Sequence, residues 1–230
     1  MLPVQGHPST TVPLVHRSTV RVLERLTYAQ NLALEEETPL FAADLDFAWQ
    51  YGGPITRAFL ETLRADRGQG VIVDSSLVWL VPGIAHGFES GGMRPRGPLR
   101  FVHEPFPAAA TGVRADANRN FEAVHRLCVL GLPCTPEVAE GDFAFSTAEE
   151  AEAFWLPPES IEARQSEIEH RLSAGSLVLK PIPLGTVVEL GWGALRRVRP
   201  ATSSGFQFVL RATLGDRRPP VNGRRNLSIL

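Results

Sequence analysis

Lysine is almost missing from this sequence: Lys180 is the one lysine, and the other 22 of its 23 basic residues are arginine. Cysteine is equally scarce. Cys128 and Cys134 are too few for a disulfide framework, and their spacing fits neither a zinc knuckle nor a CxxC redox pair. No run of about 18 apolar residues occurs, so no membrane-spanning helix is expected. The first residues lack the basic and apolar regions of a signal peptide, which sets the expectation of a cytoplasmic protein. Catalytic signatures are missing too. The Gly- and Arg-rich stretch from Gly83 to Gly97 lacks the Gly-Lys-Ser/Thr ending of a phosphate loop, and Ser75-Ser76 has no Gly-x-Ser-x-Gly frame. Pro133-Cys134-Thr135-Pro136-Glu137 lacks the second cysteine of a zinc deaminase.

What is present describes a globular chain. At 230 residues, 43% hydrophobic and 21% charged, it is long enough for a sizeable core, and a single domain over 1–230 is expected. The net charge of −2 selects no partner, but the charge is unevenly placed. From Glu137 to Arg171 ten acids face two arginines; from Arg196 to Leu230 eight arginines face Asp216 alone. These blocks are complementary, within one fold or between copies of it, so a homo-oligomer is compatible with them. The basic block carries no recognised nucleic-acid module.

Apolar spacing divides the chain. Val20, Leu23, Leu26, Tyr28 and Leu32 recur at mixed three- and four-residue spacings over Ser18–Leu34, and Ile55, Phe59, Leu60 and Leu63 over Ile55–Asp66, behind Pro54. Residues 1–70 are therefore expected to be mainly helical. After them the texture is strand-like: Val71–Val73, Leu77–Val81, Leu99–Val102, His125–Leu130, Phe143–Phe145, Leu177–Leu179, Thr186–Leu190 and Phe206–Thr213. Ser146-Thr147-Ala148-Glu149 has the form of a capping box, and Pro157-Pro158-Glu159 opens a second helix, giving a helical insertion at about 146–172. Helices first and many short strands afterwards predict an α+β fold with an antiparallel core over 71–230.

The most specific text is Gly191-Trp192-Gly193-Ala194-Leu195-Arg196-Arg197-Val198-Arg199-Pro200-Ala201, a Ser-Gly turn, and a strand ending at Arg211. It resembles the C-terminal strands of double-stranded β-helix (jelly-roll) proteins related to the iron(II)/2-oxoglutarate oxygenases, and Val81-Pro82-Gly83 resembles the approach to their first metal ligands. The resemblance implies a jelly-roll core, with iron(II) and 2-oxoglutarate as cofactors if the chain is active. It also implies that Arg211 can grip a distal carboxylate, with Gln207 and Trp192 nearby.

The ligand pattern departs from that family. Arg196 stands where the second histidine belongs, and a guanidinium stays protonated and offers no lone pair. After Val81-Pro82-Gly83 the nearest text is His86-Gly87-Phe88-Glu89, with two residues between ligands rather than one. In His103-Glu104 the two side chains would point to opposite faces of a strand. Either the metal site has moved, to His86, Glu89 and His103 or His125, or it has been lost. Loss is preferred, because a fixed positive charge makes a dication costly there. The leading expectation is an oxygenase-like pseudoenzyme without a resident cofactor, binding a small anionic ligand or a protein partner through Arg196, Arg211, Gln207 and Trp192. Both arginines are expected on the inner face of one sheet. The alternatives are an active oxygenase with displaced ligands, and an interaction protein whose basic C-terminal surface meets an acidic partner.

Overall fold

The computed structural model describes residues 14–26, 34–64, 70–83, 85–86, 93–94, 123–131, 136–155, 161–191, 193–215, 219–224 and 228–229. In chain order these form β1 (Val15–Ser18), β2 (Val20–Arg25), β3 (Leu40–Phe41), α1 (Leu45–Tyr51), α2 (Pro54–Glu61), β4 (Val71–Leu80), β5 (Ala85–His86) and β6 (Met93–Arg94). There follow β7 (Val124–Gly131), β8 (Pro136–Ala144), α3 (Ala148–Trp155), α4 (Ile161–Ser173), β9 (Val178–Pro181) and β10 (Thr186–Gly191). The chain ends with β11 (Leu195–Val198), β12 (Gly205–Leu214), β13 (Gly223–Arg224) and β14 (Ser228–Ile229). The fold is α+β and rich in antiparallel strands.

Two sheets carry the architecture. The larger runs β14-β4-β12-β7-β10-β2. In the smaller, β8 pairs β9 along one edge, and pairs β11 and then β1 along the other. Gly141, at φ 157°, lies where β8 passes from its β11-paired half to its β1-paired half, and a side chain there would run into Leu177.

Alternation along each strand sorts side chains into three layers. Leu127 and Val129 of β7, Val188 and Leu190 of β10, and Val209 of β12 pack with Val138 of β8, which joins the sheets face to face. The even residues of β12, Phe208 to Leu214, point the other way and pack with Cys128, Leu130, Ile55 and Phe59 under α1 and α2. Behind the smaller sheet, Ala139, Phe143 and Leu195 pack on Ala151 and Ile168 of α3 and α4.

The N-terminal part departs from expectation. Val15–Ser18 and Val20–Arg25 are strands, where a helix was expected from Ser18 to Leu34; residues 27–33 of that segment lie outside the described residues. The β-branched pair Val20 and Val22 suits a strand, and β10 offers β2 a partner edge over Val20–Arg25. The helix at Ile55 is α2, with Pro54 in its first turn. The two helices expected between β8 and β9 are α3 and α4, but the capping box falls one residue later than read. Thr147 Oγ1 accepts the Glu150 N–H at 3.2 Å, and Glu150 Oε2 accepts the Ser146 N–H at 2.8 Å. The expected strand Leu99–Val102 lies outside the described residues.

Candidate functional site

The expected strands Val71–Val73 and Leu77–Val81 are one ten-residue strand, β4, with Asp74, Ser75 and Ser76 buried inside it. Asp74 and Ser75 each hold a partner there. Asp74 stands opposite Arg211 in the pairing of β4 with β12, and Arg211 Nη2 donates to Asp74 Oδ2 at 3.2 Å. Asp74 Oδ1 accepts the Ala42 N–H at 3.0 Å, and Ser75 Oγ accepts the Leu40 N–H at 2.8 Å. These two side chains thereby hold the segment that leads into α1. A buried carboxylate is tolerable because it meets a guanidinium and a backbone donor together.

Arg211 alternates with Leu210 and Ala212, which pack under the helices, so it lies on the side of β12 that faces the smaller sheet. Gln207 shares that side at 1% exposure. So does Thr213, opposite His125 of β7, and the His125 Nδ1 to Thr213 Oγ1 hydrogen bond is 3.1 Å.

Arg196 comes from the other sheet. Its neighbour Leu195 packs behind β11 against the helix layer, whereas Arg196 pairs with Val138, an inward residue. Arg196 is 3% exposed and Arg211 9%. The two arginines therefore lie on the inner sides of facing sheets, not on one sheet as expected. Neighbouring Arg197 points outward and donates from Nε to Glu137 Oε2 at 2.9 Å, while Arg199 Nη2 lies 2.7 Å from Glu137 Oε1. Burial pushes the Glu137 carboxyl up, but hydrogen bonds from Arg199 and Arg197 outweigh it and hold it below the ordinary glutamate value. The acidic and basic blocks of the sequence thus meet here within the one fold.

His86 is in β5, paired with Met93 of β6, whereas Glu89, His103 and Trp192 lie outside the described residues. Among the described residues no three His, Cys, Asp or Glu side chains converge as a metal-binding group. Asp74 and Thr213 are polar residues of this face that the sequence did not single out. For Asp74 the available signal was a polar triplet within the otherwise apolar ten-residue stretch of β4.

No protein-family model matches this chain, and no curated protein does. Among solved structures it is similar to HygX from Streptomyces hygroscopicus with iron bound. The identity is 10% over 90% of this chain and 83% of that one, at a TM-score of 0.33. No helix among the described residues is long and apolar enough to cross a membrane.

Proposed function

We propose that this chain is an oxygenase-like double-stranded β-helix whose iron position has been given over to a guanidinium, and that it binds a small anion between its sheets. Strand order supports the jelly-roll. The chain turns back at β8–β9 in the smaller sheet; β7 and β10, the strands before and after that turn, pair in the larger. Continuing, β11 lies beside β8 and β12 beside β7, so the arms wind alternately through both sheets. Helices α3 and α4 are then an insertion between two core strands.

The observation that carries the functional reading is the place of Arg196. It lies at the position that the resemblance gives to the second histidine ligand, on the inner side of β11, at 3% exposure. Iron does not fit that donor set, because a guanidinium has no lone pair to give and its charge repels a dication. What a guanidinium does in that position is hold a carboxylate or phosphate through paired N–H donors, more strongly out of water than in it.

The test is a panel of acetate, succinate, 2-oxoglutarate and inorganic phosphate, read by thermal shift and titration calorimetry on the wild type and on Arg196→Met. The expected result is a rise in Tm with at least one anion that vanishes in Arg196→Met. No response of the wild type to any of the four contradicts the proposal.

A further inference from the structure

Near its end the chain runs beside the segment that enters α1, and one pair of side chains fastens the two together. Asn222 Oδ1 accepts the Asp44 N–H at 2.9 Å, and Asn222 Nδ2 donates to Asp44 Oδ2 at 2.9 Å. Asp44 is also the N-cap of α1, its Oδ1 accepting the Phe47 N–H at 2.7 Å. The Val221 and Asn222 N–H groups both donate to the Ala42 carbonyl, at 2.8 and 3.2 Å, before the chain enters β13 against β3. Asn222 makes this turn at φ 55°, in the left-handed region that asparagine tolerates better than most side chains.

Asn222 is the only asparagine in the sequence followed by glycine. We infer that Asn222–Gly223 is a site of covalent self-modification, and that its product opens the clasp with Asp44. The Gly223 backbone nitrogen attacks Cγ of the Asn222 carboxamide. The new C–N bond closes a five-membered succinimide, the Cγ–Nδ2 bond breaks, and the proton given up by Gly223 leaves with the ammonia. Water then adds at either ring carbonyl, leaving aspartate or, with the main chain rerouted through the side chain, isoaspartate. One water enters, one ammonia leaves, and nothing is oxidised or reduced. Gly223 favours the closure because no Cβ obstructs its nitrogen and its backbone turns freely. Both residues are only partly buried, so water has access to them.

The fold restrains this reaction and also registers it. The carboxamide is held at its oxygen and at its nitrogen, so it must leave Asp44 before the Gly223 nitrogen can reach Cγ. Aspartate at this position replaces the Nδ2 donor with an oxygen, and two carboxylates then meet where donor and acceptor stood 2.9 Å apart. Isoaspartate lengthens the main chain just ahead of the Gly223–Phe41 and Arg224–Leu40 pairs and disturbs their register. Either product unfastens β13 from the start of α1, irreversibly.

The full-length protein is held at neutral pH under native conditions, and conversion at Asn222 is followed by peptide mapping with mass spectrometry. Wild type, Gly223→Ala and Asp44→Ser are compared. An alanine Cβ at 223 meets Phe41 at 3.5 Å, an ordinary contact, so this variant keeps the fold while hindering ring closure. Serine at 44 keeps a capping oxygen for α1 but loses the oxygen that holds Asn222 Nδ2. The expected result is conversion in the wild type, slowed about tenfold in Gly223→Ala, a barrier difference of roughly 1.4 kcal/mol, and faster in Asp44→Ser. No conversion in the wild type, or equal rates in wild type and Gly223→Ala, overturns the site; no acceleration in Asp44→Ser overturns the restraint by the clasp. The consequence is read by thermal unfolding. Asn222→Asp is expected to lower Tm, and Asp44→Asn/Asn222→Asp, in which amide and carboxylate exchange places, to recover it. An unchanged Tm in Asn222→Asp, or no recovery in the exchanged pair, overturns the coupling to α1.

Discussion

Arg196 stands directly opposite Val138 in the pairing of β11 with β8, one register step from the Arg197–Glu137 pair. That single step decides the fate of two adjacent guanidiniums. Val138 belongs to the layer between the sheets, so Arg196 is carried inward with it; Arg197 emerges on the outer side and meets a carboxylate. A strand alternates strictly, so a slip of one residue would exchange the two roles.

Glu137 makes acid stability testable. Its folded-state pKa is depressed, so its contribution is present in full above the ordinary glutamate value of 4.5 and is lost as pH falls through the lower folded value. Glu137→Gln is expected to lower Tm at neutral pH and to flatten its decline through the acid range. Thermal unfolding of both proteins across that range checks this; parallel curves would contradict it.

Cys128 is fully buried, and burial pushes its thiol up to about 12. In a Cys134→Ser variant, which leaves Cys128 as the remaining thiol, a disulfide-exchange reagent is expected to label the native protein at the rate of unfolding alone. Labelling should become rapid in denaturant. Fast labelling of the native variant would contradict the placement of this residue.

Glu37 caps α2 from a distance in sequence. Its Oε1 accepts the Ile55 N–H at 2.6 Å, and its Oε2 accepts the Thr56 N–H at 3.2 Å and the Thr56 hydroxyl at 2.7 Å. The residue is 5% exposed, so truncation strands these donors away from water. Glu37→Ala is expected to cost roughly 2–3 kcal/mol in urea unfolding. A loss well under ~1 kcal/mol would mean that water replaces the carboxylate.

Phe208 is fully buried between β12 and the α1–α2 layer. Phe208→Ala is expected to cost about 3–5 kcal/mol, through lost apolar transfer and the cavity left behind. The same unfolding measurement checks it.

Much of the core was legible because its strands are continuous apolar runs bounded by turns: β7, β10 and β12 lie where Val, Leu and Phe concentrate. The misread elements are those whose structure is set by distant partners. β2 spaces its apolar residues much as a helix would, and only pairing with β10 selects a strand. β4 looked broken at Asp74 because its partner, Arg211, lies 137 residues away. Glu37 caps α2 at Ile55, 18 residues on, a partnership that no local spacing shows. At the site, Arg196, Arg211 and Gln207 stood out through sequence resemblance. Their division between two sheets, and the part of Asp74, required the topology.

The most direct test of a guanidinium in place of a metal ligand is the iron content of the purified protein after anaerobic loading with iron(II), measured by elemental mass spectrometry beside His86→Ala. The account predicts no near-stoichiometric iron and no difference between the two proteins. Near-stoichiometric iron in the wild type that is lost in His86→Ala would contradict it and restore a displaced metal centre.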